Sequence, residues 1–228
     1  IDSTPVNMIL PDAPALLSRF TPDAKIIVIL REPVSRALSH FRHNVNWGRC
    51  AASRLSDALR LEERVWERAQ GPAVSPADDA ATDTDKAPPA ATGGLSDEML
   101  GHSYKRRGLY LGDLRRYKLF FGADNLLVLS FKDVIGKGKD SQKQVLSRLC
   151  AFVGLDEACI DGMAGGILDA KQKNTTPAWA CDRVEEDREG ICALEKAFTE
   201  TNRALAAEFD FPEALEWNRG YGTRGGRG

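Results

Sequence analysis

A short apolar run that stops at a charged turn constrains the fold of this chain most. The segment Lys25–Leu30 consists of a lysine and the apolar run Ile26-Ile27-Val28-Ile29-Leu30. It is followed at once by Arg31-Glu32-Pro33. Such a run predicts a strand buried on both faces, as found inside a parallel sheet. Pro33 suits the first turn of a helix, and apolar residues recur after it at helical spacing. A strand therefore leads through a tight turn into a helix.

The rest of the chain repeats this alternation of strand and helix. Residues 126–131 predict a second buried strand, and the patterns over 111–121 and 191–209 predict amphipathic helices. The order predicts an α/β fold with a mainly parallel sheet flanked by helices, in one domain covering residues 1–228. Residues 69–94 are rich in Ala, Pro, Asp, Thr and Gly, which predicts a disordered insertion within that domain.

Charge and composition exclude several classes of protein. The formal net charge is −2, which disfavours binding of nucleic acid by bulk electrostatics but leaves room for a local basic site. No apolar run approaches the roughly 20 residues of a membrane span, so the chain is expected to be a soluble domain. Five cysteines without a C-x-x-C spacing and only three histidines disfavour a metal centre.

The end of the first predicted strand is the candidate ligand site. Ligands of open α/β sheets collect where strands end and helices begin, because backbone N–H groups there favour anions. Arg31 lies at that point, and Ser39 follows two helical turns later. Together they would hold a phosphate group through charge-assisted contacts. The same spacing equally fits an arginine that caps a strand through a salt bridge and a serine on the helix surface.

The order of residue types in this region is more specific evidence of function than the spacing of Arg31 and Ser39 alone. The stretch from Pro22 to Phe41 resembles the 3′-phosphate-binding segment of sulfotransferases that use 3′-phosphoadenosine 5′-phosphosulfate (PAPS). In that family the segment reads K-x-I-x-x-L-R-[DN]-P-x-x-R-x-x-S, and its Arg and Ser bind the 3′-phosphate. The resemblance assigns these roles to Arg31 and Ser39. Glu32 stands where the family has Asn or Asp.

The N-terminal residues are similar to another segment of the family. Ile1 to Pro5 resembles E-K-[ST]-P, whose acidic residue is the general base in the glycan-modifying branch, so Asp2 takes that role by resemblance. Ser3 replaces the usual Lys, and Asp2 would also fit a terminal residue that caps the following turn. The family's K-x-G-[ST]-[ST] loop has no counterpart in 1–228, so the resemblance implies a P-loop-like sulfotransferase fold that is truncated at its N-terminus.

Two basic runs are further candidates for ligand contacts. The segment Tyr104–Tyr110 resembles the family's G-x-Y region, which assigns Arg107 and Tyr110 to the cofactor cleft. Lys171 and Lys173 match the late N-K segment and are assigned to the acceptor side. The alternatives are solvated basic faces for the charged residues and a packing role for Tyr110.

The resemblance is nearest to the heparan sulfate and related carbohydrate sulfotransferases. That branch closes a loop with a disulfide in the region of Cys181 and Cys192, so this pair is expected to be oxidised. Here the K-G-R loop after the second cysteine is replaced by Ala193-Leu194-Glu195-Lys196. The branch also implies a parent anchored in the Golgi membrane by a segment outside this chain, and the acceptor sequon at Asn174 fits such a glycoprotein.

The resemblance therefore implies an enzyme that transfers a sulfuryl group from PAPS to a carbohydrate hydroxyl or amino group without a metal. A catalytically silent nucleotide- or glycan-binding module on the same fold is the alternative. It is favoured by Ser3 and by the lack of the first phosphate loop and of the K-G-R segment. A nucleotide kinase is a third reading, which would need a Walker loop that residues 1–228 also lack.

Overall fold

Helices surround a small parallel sheet in the computed structural model, which describes residues 3–70, 95–135, 139–156 and 187–221. The strands are β1 (Ile26–Leu30) and β2 (Leu126–Ser130). The helices are α1 (Ala13–Phe20), α2 (Pro33–Asn46), α3 (Leu55–Gln70), α4 (Asp97–Gly101), α5 (Tyr110–Phe121), α6 (Phe131–Ile135), α7 (Lys139–Val153), α8 (Arg188–Glu208) and α9 (Glu213–Trp217). Short 3-10 turns lie at Pro5–Met8 and Arg106–Gly108.

The two strands pair in parallel, with Val28 opposite Val128 and Leu30 opposite Ser130. The predicted α/β class with a parallel sheet flanked by helices is confirmed. The second strand ends one residue earlier than predicted because the Ser130 hydroxyl accepts hydrogen bonds from the N–H groups of Lys132 (3.1 Å) and Asp133 (3.4 Å). This cap turns the chain into α6 directly after β2.

One face of β1 is buried and the other is open. Val28 and Leu30 pack in a cluster with side chains of α5, α8 and α9, among them Leu114. Ile27 and Ile29 point to the opposite face and are 41% and 49% exposed. The prediction of a strand buried on both faces was therefore wrong. An apolar run records the hydrophobicity of a strand, whereas burial depends on whether another element covers each face.

A second core cluster joins α2, α3 and α8, and it includes Phe41, Leu55 and Phe198. The first turns of α3 and α8 are held together by Asp187. Its carboxylate accepts hydrogen bonds from the N–H of Gly190 (2.8 Å) in α8 and of Ser56 (3.0 Å) in α3. One buried side chain thus satisfies amide groups at two helix starts, where the helix itself provides no partner.

Other predicted boundaries agree with the structure to within a few residues. The helix expected over 111–121 is α5, and it ends at Gly122, whose φ of +79° favours glycine. The predicted insertion at 69–94 overlaps the last two residues of α3, and residues 71–94 lie outside the described chain. Among the described helices, none has both the length and the apolar character that crossing a membrane requires.

Candidate functional site

The candidate site lies where the parallel strands end side by side. Arg31 is the first residue after β1, and its guanidinium lies over the ring of Phe131, 5.4 Å from the ring centroid. Phe131 is the first residue after β2. Within the described ranges no carboxylate forms an ion pair with Arg31. The salt-bridged alternative for Arg31 is thus not found there, and its charge is available to an anion.

Ser39 lies two turns into α2 with a half-buried side chain. A serine inside a helix commonly bonds the carbonyl group one turn earlier. In the part of the chain that the structure describes, the Ser39 hydroxyl makes no such bond and has no other hydrogen-bond partner. It therefore keeps a donor and acceptor for a ligand.

The start of α2 is already occupied by a side chain of this protein. The carboxylate of Glu32 accepts hydrogen bonds from the N–H groups of Val34 (2.9 Å) and Ser35 (2.7 Å). These amides were expected to favour a bound anion, and Glu32 satisfies them instead. The Glu32 cap thus removes these two amides from the anion site. Side chains are left to hold the anion.

Tyr110 lies beside Arg31 but serves the core. Its hydroxyl donates a hydrogen bond of 2.8 Å to the Arg31 carbonyl oxygen, and its ring meets Trp217 edge to face at 6.2 Å. Only 5% of the residue is exposed, and burial raises the pKa of its hydroxyl to about 12. A buried ring cannot stack on a nucleotide, so Tyr110 contributes by fixing the backbone that carries Arg31.

Two further arginines, Arg36 and Arg107, form a chain of neighbouring charges with Arg31. Arg107 donates from Nε to the Ser103 hydroxyl (3.0 Å) and from Nη2 to the Leu100 carbonyl (3.3 Å). Arg36 donates to the Tyr104 carbonyl, so its side chain faces the segment 104–110. Burial lowers the pKa of both guanidinium groups, and each also lies within electrostatic reach of another arginine.

The positive charge around these arginines acts on a neighbouring histidine. Burial, followed by the charges of Arg36 and Arg107, lowers the pKa of His40 to about 3. His40 is therefore neutral at physiological pH, and the positive charge of this region comes from its arginines. Such a concentration of cations costs free energy unless an anion balances it.

Glu62 of α3 is a buried carboxylate within electrostatic reach of Arg36, and the sequence pattern did not single it out. Its side chain is 1% exposed, and burial raises the pKa of its carboxyl group while the amides of Lys105 and Arg106 act in the opposite direction. The hydrogen bond from the Lys105 amide to Glu62 joins residues that are 43 positions apart in the chain. Hydrophobic periodicity within a single helix or strand gives no signal for such a contact.

A cleft of about 280 Å³ opens beside the start of α2. It is bordered by Glu32 and Pro33 on one side and by Lys196, Thr199 and Trp217 on the other. Arg31 itself does not line the cleft, but it directly precedes the lining residue Glu32 in the chain. Its lining is mainly polar, as suits a ligand that carries hydroxyl groups.

Comparison with known proteins supports the fold. No family model matches this chain, and no curated protein matches it. A solved structure, the "Crystal Structure of Sulfotransferase from Alicyclobacillus acidocaldarius", is similar with a TM-score of 0.56 and 21% sequence identity. The alignment covers 89% of this chain and 61% of that one. The chain shares the fold of this sulfotransferase. It spans somewhat under two thirds of the length of that structure.

Several predicted site residues fall outside the described chain, namely Asp2, Lys171, Lys173 and Cys181. Their roles in a sulfotransferase site stay predictions.

The structure does correct the disulfide between Cys181 and Cys192, because Cys192 is a free cysteine exposed on α8. A helix-surface thiol needs a partner within about 6 Å between Cα atoms, which the cysteine spacing does not ensure. In the described residues no group of three His, Cys, Asp or Glu side chains is arranged to hold a metal ion.

Proposed function

We propose that this protein is a sulfotransferase that uses PAPS and modifies a hydroxyl or amino group of a carbohydrate. Arg31 and Ser39 bind the 3′-phosphate of the nucleotide, with the positive charge of Arg36 and Arg107 behind them. Asp2 acts as the general base, and Lys171 and Lys173 bind an anionic glycan. The parent protein belongs, under this proposal, to the Golgi lumen and is held there by an anchor outside residues 1–228.

The observation that carries the proposal is a pair of unengaged polar groups in a sulfotransferase fold. Arg31 has no carboxylate partner and Ser39 no hydrogen-bond partner in the described ranges, and both follow the end of β1. Both side chains are half-buried, so their polar groups remain accessible to a ligand at the surface of the protein. A phosphate group offers several acceptor oxygens to such a pair.

The reaction is an in-line displacement at sulfur. The acceptor oxygen or nitrogen forms a bond to sulfur while the bond from sulfur to the 5′-phosphate oxygen breaks, and the electron pair leaves with the nucleotide phosphate. The acceptor proton passes to the carboxylate of Asp2. General bases contribute on the order of a hundredfold or more. Arg31 and Ser39 hold the donor at its far end, which orients the sulfuryl group for attack.

Nucleotide binding tests the phosphate site. We expect the 228-residue chain to bind adenosine 3′,5′-bisphosphate more tightly than adenosine 5′-phosphate in calorimetric titrations. Arg31→Ala and Ser39→Ala should each weaken binding of the bisphosphate by about tenfold or more, roughly 1.4 kcal/mol. Binding of the 5′-phosphate should change little because it lacks the group that these residues contact.

Arg19→Ala is the matched control, since Arg19 is an exposed arginine on α1. It should leave both affinities within about twofold of the wild type, as surface substitutions usually do. Equal affinity for the two nucleotides in the wild type, or an Arg31→Ala variant indistinguishable from Arg19→Ala, would remove the claim of a 3′-phosphate site.

Sulfate transfer tests the acceptor and the base. Radiolabelled PAPS is offered to the parent protein with a panel of glycans and, for comparison, simple phenols and steroids. We expect label on glycans and a loss of turnover of about a hundredfold in Asp2→Asn. Label on phenols alone would contradict the carbohydrate assignment, and unchanged turnover in Asp2→Asn would contradict the base. Tight nucleotide binding without transfer to any acceptor would favour the silent binding module.

A further inference from the structure

Glu62 is a buried carboxylate whose oxygens accept hydrogen bonds from backbone amides. It lies on α3, its side chain is 1% exposed, and its two oxygens accept hydrogen bonds from two consecutive amides. Oε2 accepts from the N–H of Lys105 at 2.7 Å, and Oε1 accepts from the N–H of Arg106 at 2.9 Å. Such burial of an ionisable group is costly, so its presence calls for an explanation.

The segment 104–110 that Glu62 holds is fixed at three other points. Arg36 donates to the Tyr104 carbonyl at its start. Gly108 lies so close to Phe198 that a Cβ atom there would be 2.6 Å from the ring. At its end, Tyr110 donates to the carbonyl of Arg31 at 2.8 Å. A continuous set of contacts thus leads from Glu62 to the residue at the end of β1.

We propose that Glu62 is a positioning residue for the 3′-phosphate site, acting through the segment 104–110. It fixes the amides of Lys105 and Arg106, and this holds Tyr110 in reach of Arg31. The inference rests on the proposed function, because it names what aligns the residue that binds the nucleotide. Glu62 does not itself touch the ligand, since its carboxylate oxygens are engaged by the two amides.

The geometry requires a carboxylate rather than an amide at this position. Two N–H donors point at two oxygens, and glutamate provides an acceptor for each. Glutamine has one carbonyl oxygen and an NH₂ group, so Glu62→Gln would set a donor against one of the amides. The variant keeps the size of the side chain, and it should loosen the segment without leaving a cavity.

The next residue supplies a matched control. Glu63 is also on α3, but its side chain is 55% exposed and pairs with the Nζ of Lys105 at 2.7 Å. Glu63→Gln removes the same charge from the same helix and contacts the same residue 105. It leaves the backbone amides of Lys105 and Arg106 untouched. Exposed ion pairs contribute little, so this variant should behave like the wild type.

The experiment compares nucleotide affinities of the 228-residue chain and its variants by calorimetry, together with amide hydrogen exchange. We expect Glu62→Gln to weaken binding of adenosine 3′,5′-bisphosphate by roughly five- to tenfold and that of adenosine 5′-phosphate by less than about twofold. The amides of Lys105 and Arg106 should exchange faster in Glu62→Gln than in the wild type. Glu63→Gln should change neither quantity.

The pattern of losses separates a positioning role from a merely structural one. A structural role would weaken both nucleotides equally, or neither, and either result would overturn the inference. If Glu62→Gln does not fold, Tyr110→Phe interrupts the same connection at its other end by removing the bond to Arg31. That variant should show the same selective loss, and equal losses for both nucleotides would again overturn the inference.

Failure of the inference can be told from failure of the proposed function. A wild type that does not distinguish the two nucleotides contradicts the 3′-phosphate site and, with it, the role of Glu62. A wild type that does distinguish them, while Glu62→Gln distinguishes them equally well, contradicts the role of Glu62 alone.

Discussion

Replacement of Gly108 by alanine should destabilise the protein through a steric clash. A Cβ atom at position 108 would lie 2.6 Å and 2.8 Å from two ring atoms of Phe198 and 3.1 Å from the Cβ of Pro33. Ordinary carbon contacts begin near 3.4 Å, so the segment must move by nearly 1 Å or the ring must yield. Phe198 is 1% exposed and belongs to the core cluster that joins α2, α3 and α8, so a displaced ring would disturb that packing. Overpacking of this kind costs about 1–3 kcal/mol.

Gly112 is the control for the change of residue type. It lies in α5, and the nearest atom to a Cβ there, Nη1 of Arg116, is 3.9 Å away. Alanine at an exposed helix position is more favourable than glycine by about 0.5–1 kcal/mol. The same chemical change should therefore lower the free energy of unfolding in Gly108→Ala and raise it in Gly112→Ala.

Urea denaturation followed by circular dichroism measures both effects. The urea concentration at the midpoint of unfolding should fall for Gly108→Ala and rise for Gly112→Ala. The slope of the free energy of unfolding against urea concentration should stay unchanged in both variants. Because Gly108 lies in the segment that reaches Arg31, Gly108→Ala should also weaken binding of adenosine 3′,5′-bisphosphate. A Gly108→Ala protein as stable as the wild type would refute the close packing of this segment against Phe198.

We expect two buried carboxylates, Asp187 and Asp113, to affect the stability of the protein. Asp187→Ala removes the hydrogen-bond acceptor of two buried amides, those of Ser56 and Gly190. The free energy of unfolding, measured by urea denaturation, should fall by about 2 kcal/mol or more. A loss below about 0.5 kcal/mol would contradict the role of Asp187 at the two helix starts. Burial raises the pKa of Asp113 to about 6 despite its ion pair with Arg116. The folded state then binds the Asp113 proton more tightly than the unfolded state, so this residue's contribution to stability falls as the pH rises from about 4 to 6, by roughly 3 kcal/mol at most. Asp113→Asn should remove that fall, and parallel stability curves for variant and wild type over pH 4–7 would contradict it.

The amino-acid sequence predicted only part of the candidate site. Arg31 and Ser39 could be named because they follow a strand and a turn that are encoded within a few neighbouring residues. For Tyr110 the sequence left a cofactor contact and a packing role open, and it gave no sign that the hydroxyl bonds a carbonyl 79 residues away. Glu62 was missed for the same reason, because the amides it binds are distant in the chain. Hydrophobic periodicity reports which face of a helix is buried, and it contains no information about the partner.

The sequence by itself determined the local units of this protein. Apolar runs with β-branched residues specify β1 and β2, Pro33 specifies where α2 begins, and Gly122 specifies where α5 ends. These choices depend on backbone sterics and on periodicity within one segment. Parallel pairing followed from the alternation of strands and helices, since such connections place consecutive strands in one sheet.

Only the tertiary structure decided what surrounds each unit. It showed that Ile27 and Ile29 face an open side of the sheet and that Cys192 is a free thiol. It also showed that the Glu32 carboxylate satisfies the first amides of α2. Burial and hydrogen bonding depend on groups that meet across long separations in the chain. The end of β1 can be read from a short motif, whereas the contacts that position Arg31 there require the assembled fold.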